Sequence, residues 1–311
     1  MVDKINKLNL DDVEAVGARG DAPVFKLVDD DELALVHRGG LNALPAYRLE
    51  RYKNEYGEMY YKLDTSPLWQ MVAVGVLKGI IPVAEVIYDR KGDIFVKQCS
   101  AENKETILQE LSNWDNFFAD LFLLYCVLGD GDHILYSEYS ELNVRNIFLL
   151  IYREYVYYKF YDFHLAFSKF GLKARGFEAF FDRLYLSFEA IDNLDYCELS
   201  DDVRDFGGLL LKLRRGEFDK LPKNNQVIQL INQKLEQLAK RIEGEAGEKY
   251  VRDIFRHHDW KVLVKLMRDD KISRQQSIKQ NPRWHTKPDD LVKILQNNLK
   301  NTKKLLAEVT R

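Results

Sequence analysis

Cysteine is scarce in this chain: three residues, Cys99, Cys126 and Cys197, stand among 311, far apart and without the spacing of a metal site. That argues against a disulfide-built domain or a cysteine zinc site, and it fits a reducing compartment. Long apolar runs are missing too. Phe117–Leu128 and Asn146–Tyr152 are too short to span a bilayer, and Trp69–Ile87 is broken by Lys78, Pro82 and Glu85. Met1–Ala22 carries both signs of charge and no apolar signal core. The sequence shows no internal repeat and no low-complexity tract. The expectation is a soluble, cytoplasmic protein with no transmembrane segment, and its 46% hydrophobic content is enough for a sizeable core.

Charge is unevenly spread. Lys271–Arg311 holds ten Lys and Arg against three Asp and Glu, so this tail is +7 and the rest of the chain −10, within a formal total of −3. An anionic partner (phosphate, nucleic acid or a membrane surface) could meet the basic tail. A solvated helix face explains the same residues, since they are spread rather than blocked.

Between Pro23 and Ser100 the pattern is strand-like. Glu32–Arg38, Ala46–Tyr52, Glu58–Leu63, Ala84–Tyr88 and Asp93–Gln98 are rich in β-branched and aromatic residues. Turn signals separate them: Gly39-Gly40, Asn54–Gly57 and Asp89–Gly92. One helix, Ser66–Lys78, falls before the fourth strand, with Ser66 as cap and Pro67 at its first position. Beyond Ser100 the apolar residues recur at helical spacing, in Lys104–Leu111 and Asn116–Leu128, and after Pro222 in Val227–Ile242, Glu248–Arg256, Trp260–Arg268 and Leu291–Val309. A sheet region therefore precedes a helical one, with Val96–Ala101 as the connection where an adenine could sit.

Chemistry concentrates in two neighbouring segments. Glu141-Leu142-Asn143-Val144-Arg145-Asn146 precedes an apolar strand, and the following strand ends in Asp162-Phe163-His164. An acid, an amide five residues on and a second carboxylate suit phosphoryl transfer. The first orients a hydroxyl proton, while amide and carboxylate oxygens hold Mg²⁺ against phosphates. The alternative acids Asp130 and Asp132, in Gly129-Asp130-Gly131-Asp132, read more naturally as a turn. His133, His164 and the pair His257-His258 invite metal or acid–base roles; adjacent helical positions make the pair a poor chelate.

The two segments resemble the catalytic loop and Asp-Phe-Gly motif of the protein kinases, and the wording of the first is also similar to that of bacterial lipopolysaccharide-sugar kinases. Tyr185-Leu186-Ser187-Phe188-Glu189 resembles the Ala-Pro-Glu that closes an activation segment. Asp202-Val203-Arg204-Asp205-Phe206-Gly207 resembles the start of the helix whose Asp braces the catalytic loop. Tyr60-Tyr61-Lys62-Leu63 resembles the strand bearing the phosphate-clamping lysine.

The resemblance implies an α+β, bilobal protein-kinase-like fold. Its parts would be an N-terminal extension (1–22), a small antiparallel five-stranded N-lobe with one helix (23–98), a larger mainly helical C-lobe (99–220) and a C-terminal helical extension (221–311). It implies ATP and Mg²⁺ as cofactors and an unknown protein or saccharide as acceptor. Glu141 and Lys62 would be catalytic, Lys62, Gly39, Gly40 and Gln98 would bind nucleotide, and Asn146 and Asp162 would hold the metal. Several positions depart from the pattern: Glu141 replaces Asp, Ser140 replaces Arg, His164 replaces Gly, and the helix Ser66–Lys78 has no acid to pair with Lys62. A pseudokinase acting as a nucleotide-binding or scaffold module is the alternative.

Overall fold

The structure, a computed structural model, describes residues 7–8, 13–18, 25–26, 34–36, 50–54, 59–62, 67–89, 94–98, 108–130, 133, 147–152, 154–161, 163, 166–167, 169–170, 176–192, 198–256 and 288–311. In chain order the strands are β1 (Lys7–Leu8), β2 (Val13–Ala18), β3 (Phe25–Lys26), β4 (Ala34–Val36), β5 (Glu50–Asn54), β6 (Met59–Lys62), β7 (Glu85–Asp89), β8 (Ile94–Gln98), β9 (Ser112–Asn113), β10 (Ile147–Tyr152) and β11 (Tyr155–Phe160). The helices are α1 (Pro67–Leu77), α2 (Trp114–Leu123, continued by a π-turn over Leu124–Leu128), α3 (Gly176–Asp192), α4 (Asp201–Arg214), α5 (Gln226–Ile242), α6 (Gly244–Arg256) and α7 (Pro288–Val309). The class is α+β and mostly helical.

Two sheets form. The first runs β1-β7-β8-β6-β5-β2, antiparallel throughout except for β1 beside β7, and the second runs β3-β4-β10-β11-β9, all antiparallel. Two expectations change here. The segment Glu32–Arg38, expected as the first strand of the sheet that holds Lys62, contributes β4 to the second sheet, where Val36 pairs with Leu149. The edge position beside β5 goes instead to β2, from the stretch read as an N-terminal extension, with Ala15 opposite Tyr52. Period-2 patterning identifies a strand but not its partner, so a short β-prone segment is assigned to a sheet only by tertiary contacts.

The helix boundaries follow local chemistry. Asn113 caps α2 by accepting from the Asn116 N–H at 3.0 Å, Ser200 caps α4 by accepting from Val203, and Asn225 caps α5 by accepting from Ile228. In α4, Asp201 and Asp202 in the first turn and Lys212 and Arg214 in the last complement the helix dipole. On α5, buried Val227, Ile228, Ile231, Leu235, Leu238 and Ile242 recur at three- and four-residue steps and form one apolar stripe.

By contrast α2 is buried at every position but Asn116, so it is the central helix rather than a surface one. Its Phe117 ring meets Tyr158 edge-on at 5.0 Å, Phe118 meets Phe188 of α3 at 5.3 Å, and Phe122 meets Phe206 of α4 at 5.7 Å. The hairpin β10–β11, α3 and α4 are thereby fastened around one helix.

The segment after Leu221 belongs to the same core. Buried side chains of α5, α6 and α7 join those of α1 and α2 in one cluster. Arg241 of α5 donates to the carbonyls of Val76 (3.0 Å) and Lys78 (2.6 Å), satisfying acceptors that the C-terminus of α1 leaves open. The Tyr250 hydroxyl donates to the Gly75 carbonyl at 2.6 Å. At Gly75 a Cβ would strike the Ile254 side chain, so glycine is what lets α1 and α6 approach this closely.

Candidate active site

The hairpin β10–β11 organises the candidate site. Ile147 pairs with Phe160 at its open end, and from that end the chain leads back to Asn146 on one strand and on to Asp162 from the other. Phe160 is anchored on its outer side too: its N–H donates to the Pro82 carbonyl (3.1 Å) and its carbonyl accepts from Ala84 (2.9 Å), a parallel bridge to the chain following α1. Phe160 is fully buried and Phe163 likewise. The hairpin's exit is thus fixed from two sides.

Lys62 ends β6 and pairs with Phe95, while Gln98 ends β8 and pairs with Met59. They lie on adjacent strands with their ladder positions three residues apart, roughly 10 Å of strand. Glu141, Asn146, Asp162, Gly39 and Gly40 lie outside the described residues. Among the described residues, no group of three His, Cys, Asp or Glu could hold a metal.

Beside the hairpin's exit the π-turn ends on Gly129, whose φ of 63° is left-handed. Asp130 follows, completely buried, and its Oδ2 lies 2.8 Å from Nδ1 of His133. Nε2 of the same ring lies 2.8 Å from the Tyr161 carbonyl. The His133 ring also packs on Phe163 at 4.6 Å and on Phe160 at 5.5 Å. Asp130, considered from the sequence as an alternative catalytic acid, therefore spends its carboxylate on a buried histidine and presents no acid to an open surface.

Downstream, Ala166 donates to the Phe163 carbonyl at 3.1 Å and Phe167 to the Leu128 carbonyl at 2.6 Å. Phe167 has φ 66°, a left-handed conformation that costs a bulky residue about 1–3 kcal/mol and persists only where surrounding contacts over-determine it. The residues around it are tied to α7. Buried Asn298 accepts from the Phe170 N–H (2.6 Å) and donates to the Val127 carbonyl (3.1 Å), and Asn301 donates to the Phe170 carbonyl (2.7 Å). Phe167 is thus tied to the π-turn and Phe170 to the last helix.

No family model, no curated protein and no solved structure matches this chain. Its chemistry is read from its own residues. Tyr185–Glu189, which the sequence pattern likened to the close of an activation segment, lies inside α3. The Asp202 carboxylate accepts from the Gln226 N–H at 3.0 Å, and its carbonyl accepts from the Asn225 side chain at 3.0 Å, so it braces the start of α5.

A second buried carboxylate escaped sequence reasoning altogether. Asp120 of α2 is fully buried; it accepts from the Tyr158 hydroxyl at 2.7 Å and pairs with the Lys234 ammonium of α5. Burial pushes its pKa up to about 6, against the lowering effects of Lys234 and of its hydrogen bonds. No sequence signal marks it, because its partners stand 38 and 114 residues away. Desolvation also raises the Cys126 thiol well above its ordinary range, leaving it an inert core residue.

Proposed function

We propose that the chain is an ATP- and Mg²⁺-dependent phosphotransferase with a bilobal protein-kinase-like fold, transferring the γ-phosphoryl group to a hydroxyl of a protein or saccharide. The observation that carries this reading is the hairpin register. Ile147 opposite Phe160 makes the residues leading to Asn146 and to Asp162 neighbours at one end of a rigid, doubly anchored element. An amide and a carboxylate delivered from adjacent strand ends are the oxygen donors that a nucleotide-bound Mg²⁺ requires. Glu141, five residues before Asn146, is then the base, and Lys62 the clamp on the phosphates.

Further support comes from order along the chain. Four of the five strands expected of a small nucleotide-covering lobe, β5, β6, β7 and β8, run antiparallel with α1 inserted before β7, and Gln98 ends β8. The resident Mg²⁺ would withdraw charge from the γ-phosphate; the chain's own groups would orient the acceptor hydroxyl and fix the nucleotide.

One observation favours the second reading, a nucleotide-binding scaffold without turnover. The sequence of α1, Pro67–Leu77, holds no carboxylate that could pair with Lys62, and the methylene by which Glu exceeds Asp moves the base by about a bond length, enough to cost on the order of 10²-fold in rate.

Turnover of labelled ATP with Mg²⁺, by autophosphorylation or onto added acceptors, is expected for wild type and absent from Asp162→Ala. A melting temperature unmoved by saturating ATP·Mg²⁺ would remove both readings, since a ligand of the native state must stabilise it.

A further inference from the structure

We infer that the turn 215–223, between α4 and α5, and the exposed face of α7 together form a binding surface for a single-stranded nucleic acid. No residue of the candidate active site takes part in it. The turn is fixed by its backbone. Gly216 has φ 72°, a conformation that glycine adopts without strain, and the N–H groups of Arg215, Gly216 and Glu217 donate to the Lys212 or Leu213 carbonyl at 2.9–3.0 Å. Leu221 then donates to the Val309 carbonyl (2.8 Å) and accepts from the Arg311 N–H (3.0 Å), which sets the turn against the end of α7.

Positive charge collects there. Lys212 is paired with Asp219 and Arg214 with Asp182. Arg215, Lys220, Lys223 and Arg311 are exposed, and none of them forms an ion pair with the described residues. The acid in the turn, Asp219, is held below its ordinary pKa by the Lys212 hydrogen bond, the Lys220 N–H and the nearby charge of Arg311, so it is ionised and already satisfied. Glu217 is the other acid of the turn.

The last helix extends this into a track. Lys293, Lys300 and Lys304 are exposed at steps of seven and four residues, on one face, and the helical rise sets them about 10 and 6 Å apart along the axis. Glu308 stands 3.8 Å from Lys304, and Lys303 on the adjoining face is taken by Glu243. A line of cations thus leads along α7 to the turn.

Phe218 decides which polyanion fits. Its ring is 50% exposed in the midst of these charges. Bases stack on such a ring while their phosphates follow the cations. An acidic peptide would leave the ring unused. An anionic membrane would have to draw Glu217 and Asp219, on either side of the ring, into its surface.

The test follows the fluorescence anisotropy of a short labelled oligouridylate with the full-length protein across a series of KCl concentrations. Binding is expected to weaken with salt, with a log–log slope of about −0.7 for each phosphate contacted. The triple variant Lys220→Glu, Lys223→Glu, Arg311→Glu should flatten that slope by about 2, and the pair Lys293→Glu, Lys300→Glu by about 1. Phe218→Ala should weaken binding about fivefold or more with the slope unchanged. If the triple variant fails to fold, the α7 pair and Phe218→Ala carry the same decision.

No binding by wild type at low salt overturns the proposal, as does binding that Phe218→Ala leaves unaltered. Polyglutamate bound as tightly as the oligonucleotide assigns the surface to an acidic protein and overturns it too. Capture by phosphatidylserine vesicles that the oligonucleotide fails to compete away assigns it to a membrane, with the same result.

Discussion

Asp120 and Asp130 stand ten residues apart on one continuous stretch of chain, α2 and its π-turn, and both are completely buried. They differ in what they hold. Asp120 ties together three elements distant in sequence, α2, β11 and α5, through a cation and a phenol. Asp130 pairs with a residue three positions along the chain, a histidine whose other nitrogen meets the Tyr161 carbonyl beside the hairpin's exit. The first is a weld of the core; the second is a local support beside the candidate site. Burial alone does not reveal the role of a charged group. The sequence distance to its partner, and what that partner touches, separate the two.

The largest effect should come from breaking the weld. Lys234→Met leaves the Asp120 carboxylate buried without its cation, and unfolding in urea at pH 8 is expected to show a loss of about 3–5 kcal/mol. At pH 5 the carboxyl of Asp120 is largely protonated, and the loss should shrink. An equal loss at both pH values would mean that Asp120 is not ionised in the native state and that the contrast with Asp130 is misdrawn.

Proton linkage at Asp120 itself gives the next effect. Its folded pKa of about 6 lies above the ordinary 3.8, so the native state binds the proton more tightly than the unfolded chain does. The stabilisation this group contributes is fully present below pH 3.8 and is lost as pH rises through about 6. That shift corresponds to roughly 3 kcal/mol. Chemical denaturation of wild type and Asp120→Asn across this window should show this decline in wild type and its absence in the variant.

Packing between α3 and α4 sharpens the comparison with a purely apolar contact. A Cβ at Gly207 would collide with the ring of Phe188, which is itself wedged against Phe118 of the central helix. Gly207→Ala gains about 1 kcal/mol of helix propensity but overpacks a rigid ring, so a net loss of about 1–2 kcal/mol is expected. A stabilised variant would show that α3 can slide, and that the core around α2 is less tightly welded than the Asp120 cluster implies. The smallest effect is at Tyr250→Phe, which removes one hydrogen bond to the Gly75 carbonyl and should cost about 1 kcal/mol in the same assay. No change there would leave Arg241 and the Ile254 contact as the principal ties between α1 and the C-terminal helices.

Much of the architecture was legible residue by residue. Pro67 at a first helical position, the apolar stripe from Val227 to Ile242 and the hairpin around Tyr155 all follow from spacing and local chemistry, and the structure places elements at these positions. The candidate site was legible only as a motif. Spacing singles out Glu141, Asn146 and Asp162, which lie outside the described residues, whereas Asp130 reads as a turn acid and His133 as one of several unassigned histidines. Nothing in the sequence around His133 signals its burial, because the rings of Phe160 and Phe163 that pack on it stand more than 25 residues on.

The sequence by itself determined the helices α1, α2, α5, α6 and α7 and the strands β6, β7 and β8, because caps, side-chain periodicity and turn residues act within a few positions of one another; it gave no sign of β2 or of α3. Only the tertiary structure decided partners: that Ala34–Val36 pairs with β10 and not with β5, that α1 is closed by Arg241 and Tyr250, and that Asn298 of the last helix accepts from the Phe170 N–H. The physical reason is that a backbone group or a buried charge must be satisfied by whatever the packed core brings to it, and that choice is made across the whole chain rather than along it.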